Sequence, residues 1–452
     1  MAKQLFGTDG IRGVAGETPL DERTVFCFGA ALGEWAAGVA RQRGERAMVV
    51  VGRDTRESGD WLARQVAGGL RAAGVETRFA GLTSTPGVAY LTRTGPFVAG
   101  VMISASHNPY HDNGLKAFDH SGFKLPDALE HQLEERIFEL LARNGAGEAA
   151  ALEEDPLLDR EYLDYLISTV SGGLEGLRIV LDCANGSVSH LAPELFERLG
   201  AKVTRTGCSP DGRNINLGCG SLHVEALRER VLAEGADCGA AFDGDADRCI
   251  LVSAAGRVLD GDHALLVAGR DLHAAGELGA ERPAIVATVM SNLGLERALE
   301  SSGIALLRTS VGDKYVLEEM VRTGLPLGGE QSGHVIFRRH ATTGDGMMTA
   351  LRVVDAARRA GRGLDDLVSD FEVYPQRLVN VRFKRKRPLE ELPEVQAEIR
   401  ATEEEFGEKG RVLVRFSGTE PLARVMVEGP DLAEVEARAR RIAGAIETGL
   451  SA

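Results

Sequence analysis

The sequence predicts an α/β protein of several domains, and three observations carry that prediction. The chain is 452 residues long, and a single hydrophobic core stops growing near about 250–300 residues. Short apolar runs without alternation recur, each closing on a polar or glycine-rich turn, as strands buried on both faces do. Between them lie amphipathic stretches that stop at a glycine, the expected helix terminator. At ~150 residues per domain the length alone suggests about three domains.

Taken in chain order, Met48–Val51 is expected to be a strand leading into GRDTRESG, and Trp61–Ala73 a helix stopped by Gly74. Phe97–Ile103 leads into SASHNP, Arg178–Leu181 into DCANGS, Cys238–Phe242 into DGDADR and Val412–Val414 into RFSGTE. Helices are expected at Leu222–Ala233 before Gly235, at Glu296–Ser302 before Gly303, and at Leu432–Ile446. Strand–helix alternation of this kind means α/β units. Seams between domains are expected at the small, acidic stretch Asn144–Asp155, near Ser253–Asp262 and near Ser369–Gln376. After the last of these a basic run, Arg382–Arg387, reads as a solvated segment.

Composition narrows the function. With 44% hydrophobic and 26% charged residues, disordered and fibrous classes are out. Acidic residues number 67 against 52 basic, a formal net charge of −15, which disfavours nucleic acid and anionic membranes as partners. It also repels small anions unless a local basic cluster reverses the field. No apolar run reaches the ~18–20 residues of a membrane helix. The start, MAKQLFGTDGIRG, has no apolar h-region, so no secretory signal is expected. The six cysteines form no C-x-x-C pair, and reduced thiols in the cytoplasm are the expectation.

Four turns carry candidate chemistry. Asp243, Asp245 and Asp247 alternate in DGDADR, and oxygen-only ligands converging after a strand suit Mg²⁺ or Ca²⁺ better than zinc. An EF-hand would need Gly and Glu where Arg248 and Ala254 stand. A plain acidic surface turn is the competing reading, and three aspartates directly after the apolar CGAAF weigh against it. In SASHNP, Ser104 and Ser106 sit at the carboxyl end of a strand, where α/β sheets hold ligands, with Lys116 following. A serine there is a candidate phosphoryl acceptor, and a self-bonded Asx/Ser turn is the alternative. In GGEQSGH, Glu330, Ser332 and His334 offer the donors and acceptors that sugar hydroxyls use. In RFSGTE, Arg415, hydroxyls, a glycine turn and the later Arg424 suit a phosphate, against an ordinary turn with a solvated arginine. Neither G-x-x-x-x-G-K-[ST] nor G-x-G-x-x-G occurs, so nucleotide-loop readings lack support. His190, His223, His263 and His273 read as ordinary surface or core residues.

Taken in order, GTDGIRG, SASHNP, DGDADR, GEQSGH and RFSGTEP resemble the α-D-phosphohexomutase superfamily from Phe6 to Glu428, with supporting runs STPGVAYLTR, DCANGS, SNLGLE, VGDKYVLE and TTGDG. The resemblance implies four domains around a central cleft: three related α/β domains at 1–154, 155–254 and 255–369, and a smaller C-terminal α+β domain at 370–452. It implies Ser106 as the residue that carries the phosphoryl group, and Asp243, Asp245 and Asp247, with the phosphate on Ser106, as ligands of one Mg²⁺. Glu330 and Ser332 would bind sugar hydroxyls. Arg415, Ser417, Gly418, Thr419 and Arg424 would clamp the phosphate that does not react. Arg12, Lys116, Arg248 and His334 would line the cleft, Lys116 and His334 being the candidate acid and base. The implied reaction interconverts glucosamine 6-phosphate and glucosamine 1-phosphate through a sugar bisphosphate, supplying amino-sugar nucleotide and cell-wall synthesis in a monomer or homodimer. Gln331 points to this glucosamine branch. The alternative is a phosphomannomutase/phosphoglucomutase of the same superfamily. Lys314 stands where the family often has Arg, and that change is not neutral at a bidentate phosphate site, so its role is open.

Overall fold

The computed structural model describes residues 4–7, 9–279, 282–383, 387–416 and 421–451. The chain divides into two compact units, Met1–Met290 with Gly303–Ser369 and Ser291–Ser302 with Asp370–Ala452.

The larger unit contains three sheets of one design. In the first, Met48–Arg53 is flanked by parallel strands Glu76–Leu82 and Ala99–Ile103, and Asp112–Asp119 runs antiparallel beside the latter. Gly10–Val14 and Phe6–Gly7 extend that edge. In the second, Arg178–Asp182 lies between parallel Lys202–Thr206 and Cys238–Phe242, with antiparallel Cys249–Ser253 next and Val258–Leu259 beyond. In the third, Ala284–Thr288 lies between parallel Ala305–Thr309 and Leu327–Gly329, with antiparallel Val335–Phe337 next. Central strands such as Val49–Val51, Val180–Leu181 and Ile285–Ala287 are wholly buried, which is why they read as apolar runs without alternation. The repeated design has a functional consequence. SASHNP, DGDADR and GEQSGH each join the third strand of a sheet to its antiparallel fourth, so the three occupy equivalent places.

The smaller unit has a three-stranded antiparallel sheet, Gln376–Arg382, Leu422–Glu428 and Arg411–Phe416, the second in the middle. Helices Pro393–Phe406 and Leu432–Ser451 cover it around Val381, Leu392, Val425, Ile442 and Ile446. The helix Leu293–Glu300 belongs here. The buried Glu428 accepts the Leu293 N–H at 3.0 Å and an N–H of Arg411, tying the helix start to the sheet.

Several expected boundaries shift for local reasons. The first expected helix spans Gly59–Ala72, with Ala73 as its cap and Gly74 left-handed at φ 76°. Leu222–Val224 stay outside their helix, which runs Glu225–Glu234 to a left-handed Gly235. The helix near 296 starts earlier, at Leu293, because the Asn292 side chain accepts the Gly294 N–H. Residues 97 and 98 precede their strand, which begins at Ala99. The last helix runs past Ile446 to Ser451. In the basic run, residues 384–386 lie outside the described residues.

Candidate active site

Ser106 is buried and holds a left-handed backbone, φ 55°, which costs a non-glycine residue of order 1–3 kcal/mol and persists only when its surroundings over-determine it. Its N–H donates to Ser104 Oγ at 2.9 Å, Ser104 Oγ donates to Asp54 Oδ2 at 2.6 Å, and Ser106 Oγ donates to Asp243 Oδ2 at 2.6 Å. The candidate phosphoryl acceptor of the first sheet thus touches the candidate metal loop of the second. Gly244 makes this closeness feasible, since a Cβ there would stand 2.5 Å from the Ser106 carbonyl oxygen. His107 Nδ1 lies 3.4 Å from Ser106 Oγ. Burial, with Arg248 and Arg12 nearby, pulls the His107 ring down to about 4, so it is neutral near pH 7.

Asp243, Asp245 and Asp247 are all buried and offer oxygens within 4.8 Å of one another. Burial and its two neighbouring carboxylates hold Asp243 well above the usual carboxylate range. Burial acts the same way on Asp247, but the Lys116 ammonium and His334 outweigh it and hold that carboxyl well below. Asp245 Oδ1 and Asp247 Oδ1 are buried without a hydrogen-bond partner, a costly state for carboxylate oxygens. Mutually repelling, oxygen-only and under-satisfied, the cluster fits a hard divalent cation. Thr85 secures it from behind, its hydroxyl donating to Asp245 Oδ2 and its N–H to the Asp245 carbonyl at 3.0 Å.

Lys116 Nζ is buried at 2.7 Å from Asp245, 3.0 Å from Asp9 and 3.6 Å from Asp247. Burial disfavours the ammonium, but these carboxylates raise its pKa well above the ordinary value. Asp9 also pairs with Arg12 at 2.5 Å and with Lys124 at 2.5 Å, and Lys124 reaches Asp313 at 2.5 Å. Asp313 and Asp247 each stand 3.7 Å from a ring nitrogen of His334. Alternating charges therefore link Lys116 to His334 through Asp9, Lys124 and Asp313. Burial opposes a charged His334, and the two carboxylates prevail and raise its pKa. The Gly344 N–H, donating to Nε2 at 2.9 Å, favours the neutral ring instead, so protonation at Nε2 displaces Gly344. Arg248 approaches Asp247 at 3.9 Å. Although burial works against it, Asp247 and Asp243 keep its guanidinium charged. Glu330 takes the Gly312 N–H at 3.0 Å, and Ser332 is exposed on the neighbouring turn. Lys314 pairs with Asp127 at 2.6 Å on the surface.

In the smaller unit, Arg415 and Arg424 are register partners on adjacent strands. Like charges directly opposite destabilise a sheet, and burial together with Arg424 lowers the pKa of Arg415. Guanidinium groups are the side chains that bind phosphate in bidentate fashion. Ser417, Gly418 and Thr419 lie outside the described residues.

Models of the phosphoglucomutase/phosphomannomutase family match the chain throughout: α/β/α domain I at residues 3–144, domain II at 160–256, domain III at 260–374 and the C-terminal domain at 378–445. The phosphoglucosamine mutase of Solibacter usitatus is 60% identical over 99% of both chains, and that of Koribacter versatilis is 48% identical over 99% of this chain and 97% of its own. The chain belongs to the phosphoglucomutase/phosphomannomutase family. Solved structures of phosphohexomutases share its fold. A phosphoglucomutase/phosphomannomutase family protein from Burkholderia thailandensis has a TM-score of 0.80 at 24% identity, covering 98% of this chain and 97% of its own. The Aspergillus fumigatus N-acetylphosphoglucosamine mutase, in complex with GlcNAc-6P and magnesium, has a TM-score of 0.66 at 19% identity, covering 99% and 96%.

The structure also brings in Asp9, Thr85, His107 and Asp313, which stand inside the quoted runs without a role of their own, and Asp54, Arg56, Lys124 and Asn216, which stand outside the runs that carry the family resemblance. Asp54 and Arg56 had a usable signal, because they stand in the turn after a buried strand, as Ser106 does. Lys124 had none, since its partnership with Asp313 exists only across two sheets.

Proposed function

We propose that this protein is a phosphoglucosamine mutase, interconverting glucosamine 6-phosphate and glucosamine 1-phosphate through phosphorylated Ser106 and a glucosamine bisphosphate. The observation that carries the reading is the 2.6 Å contact of Ser106 Oγ with a buried, under-satisfied carboxylate cluster. The 60% identity to a phosphoglucosamine mutase over 99% of both chains supports the amino sugar as substrate.

Asp243, Asp245 and Asp247, with the phosphate on Ser106, would hold Mg²⁺. When bound, the ion neutralises charge on the transferring phosphoryl group and acts as a Lewis acid. Phosphoryl transfer asks mostly for positioning and charge stabilisation. A sugar hydroxyl attacks phosphorus, the bond from Ser106 Oγ breaks, and Lys116, held as an ammonium, gives Oγ its proton. His334 receives the proton of the attacking hydroxyl, with Asp247 and Asp313 stabilising the ring. Arg12 and Arg248 steady the phosphoryl oxygens, and Glu330 and Ser332 bind sugar hydroxyls. Arg415, Ser417, Gly418, Thr419 and Arg424 hold the other phosphate. The bisphosphate then returns that phosphate to Ser106 after reorienting. All six cysteines are free thiols, which supports a reducing, cytoplasmic setting.

The test is the product formed from glucosamine 6-phosphate with Mg²⁺ and a trace of bisphosphate, with mannose and glucose phosphates alongside. Glucosamine 1-phosphate at the highest kcat/KM supports the proposal. A higher kcat/KM on mannose or glucose phosphate makes this a phosphomannomutase/phosphoglucomutase, and free phosphate accumulating with substrate loss makes it a phosphatase. Ser106→Ala should abolish turnover.

A further inference from the structure

We propose that Arg56 is a positioning residue for phosphoryl transfer, holding the Ser106 loop so that Oγ meets the metal cluster. The proposal rests on the assignment of Ser106 as the phosphoryl carrier. Arg56 and Asp54 side chains are fully buried, and Arg56 Nε donates to Asp54 Oδ2 at 2.9 Å. Asp54 Oδ1 accepts the Arg56 N–H at 3.0 Å, so the pair is locked by its own turn. With the charge offset, the far end of the guanidinium is left to main-chain carbonyls. Nη2 donates to the Ser106 oxygen at 2.9 Å and to the Asn108 oxygen at 2.9 Å, and Nη1 donates to the Pro109 oxygen.

Asn216 arrives from the second sheet's segment and repeats the grip, its Nδ2 donating to the same Ser106 and Asn108 oxygens at 3.0 and 3.1 Å. Gly244 closes against the Ser106 oxygen from the metal loop. One carbonyl is thus held by Arg56, Asn216 and the packing of Gly244. Since C=O and N–H of a trans peptide point in opposite directions, this grip also turns the His107 N–H away from the buried guanidinium. The left-handed φ of Ser106 needs such over-determination, and an ordinary structural arginine does not require three carbonyls of one reactive loop. Lysine cannot replace it, because a single ammonium lacks the planar fork that spans carbonyls while keeping Asp54.

The experiment loads Ser106 with ³²P from labelled glucosamine bisphosphate in wild type, Arg56→Lys and Asn216→Ala. It then measures, per labelled site, the rate of transfer to glucosamine 6-phosphate, beside steady-state kcat, KM and Tm. Positioning predicts a 10- to 100-fold lower transfer rate in Arg56→Lys, about 3- to 10-fold lower in Asn216→Ala, and KM within about threefold of wild type. A merely structural role reduces the number of sites that label and leaves the rate per labelled site unchanged, which overturns the proposal. If Arg56→Lys does not fold, Asn216→Ala decides alone, and a wild-type rate there overturns it. Failure of the Ser106 assignment is distinct, because wild type would then carry no label at Ser106 and Ser106→Ala would still turn over.

Discussion

Asp345 illustrates how a single buried carboxylate couples stability to pH. Its Oδ1 caps the helix Gly346–Ala360 through the Met348 N–H at 2.9 Å, and its Oδ2 accepts from Tyr162 at 2.8 Å. Burial outweighs both bonds and pushes the carboxyl up from 3.8 to about 6. An acid with a raised folded pKa binds its proton more tightly when folded. Its contribution is therefore full below the unfolded value and is lost as pH rises through about 6. Asp345→Asn keeps a capping oxygen and removes the charge. It should raise Tm at pH 8, by on the order of 1–3 kcal/mol of stability, with the gain vanishing by pH 4. Equal melting temperatures at pH 8 would contradict this. Asp245 is equally buried, and in the proposed function it would be a metal ligand. Asp245→Ala removes an orphaned oxygen and a partner of both Thr85 and Lys116. Turnover should fall at least about 100-fold, roughly a single-donor loss in an electrostatic site, and the Mg²⁺ titration should flatten.

Among the elements, the hairpin loops between third and fourth strands carry the candidate site, and glycine sets the spacing of two of them. In Gly244→Ala the new methyl would stand 2.5 Å from the Ser106 oxygen and 2.8 Å from Ile215 Cδ1, so the two loops must part. We expect kcat to drop at least tenfold with KM within about threefold, as loss of alignment dictates. Two crossed ion pairs link the stretch after Asp112–Asp119 with the start of the helix Asp313–Thr323: Lys124 with Asp313, and Asp127 with Lys314. They are not equivalent. The Lys314 pair is exposed, and such pairs contribute ~0–1 kcal/mol, so Lys314→Ala should shift Tm by no more than about 2 °C. Asp313 faces His334 and Lys124 together, so Asp313→Asn should change the pH profile of kcat. An unchanged profile would remove His334 from the proton path.

For the whole molecule, the net charge of −15 stands against an anionic substrate. The local balance resolves this only in part. Arg12, Lys116, Lys124 and Arg248 gather around the site, yet Asp9, Asp243, Asp245, Asp247 and Asp313 stand among them. The divalent cation of the proposed function would turn this cluster positive. Because the cluster draws on all three sheets of the larger unit, Mg²⁺ should stabilise that unit as a whole, by about 2.7 kcal/mol at a concentration of 100 Kd. The smaller unit has its own core. Calorimetry should show its transition unmoved by Mg²⁺ or by chelator, while the transition of the larger unit shifts by a few degrees. A shift of both, or of neither, would refute the assignment.

By itself the sequence determined the α/β class and the buried strands, and it marked the four candidate turns, because these depend on local patterning. A strand buried on both faces must be apolar throughout, and ligand turns need small, polar or charged residues wherever they occur. It also carried the resemblance that placed Ser106, the aspartate triad and the arginine pair. Only tertiary structure decided that Ser106 meets Asp243, that Arg56 grips the Ser106 loop, and that Asp9, Lys124 and Asp313 join Lys116 to His334. Those partners are separated by 21 positions, between Asp313 and His334, up to 189, between Lys124 and Asp313. Their charges can sit together only because three sheets of one design present equivalent loops to the same place.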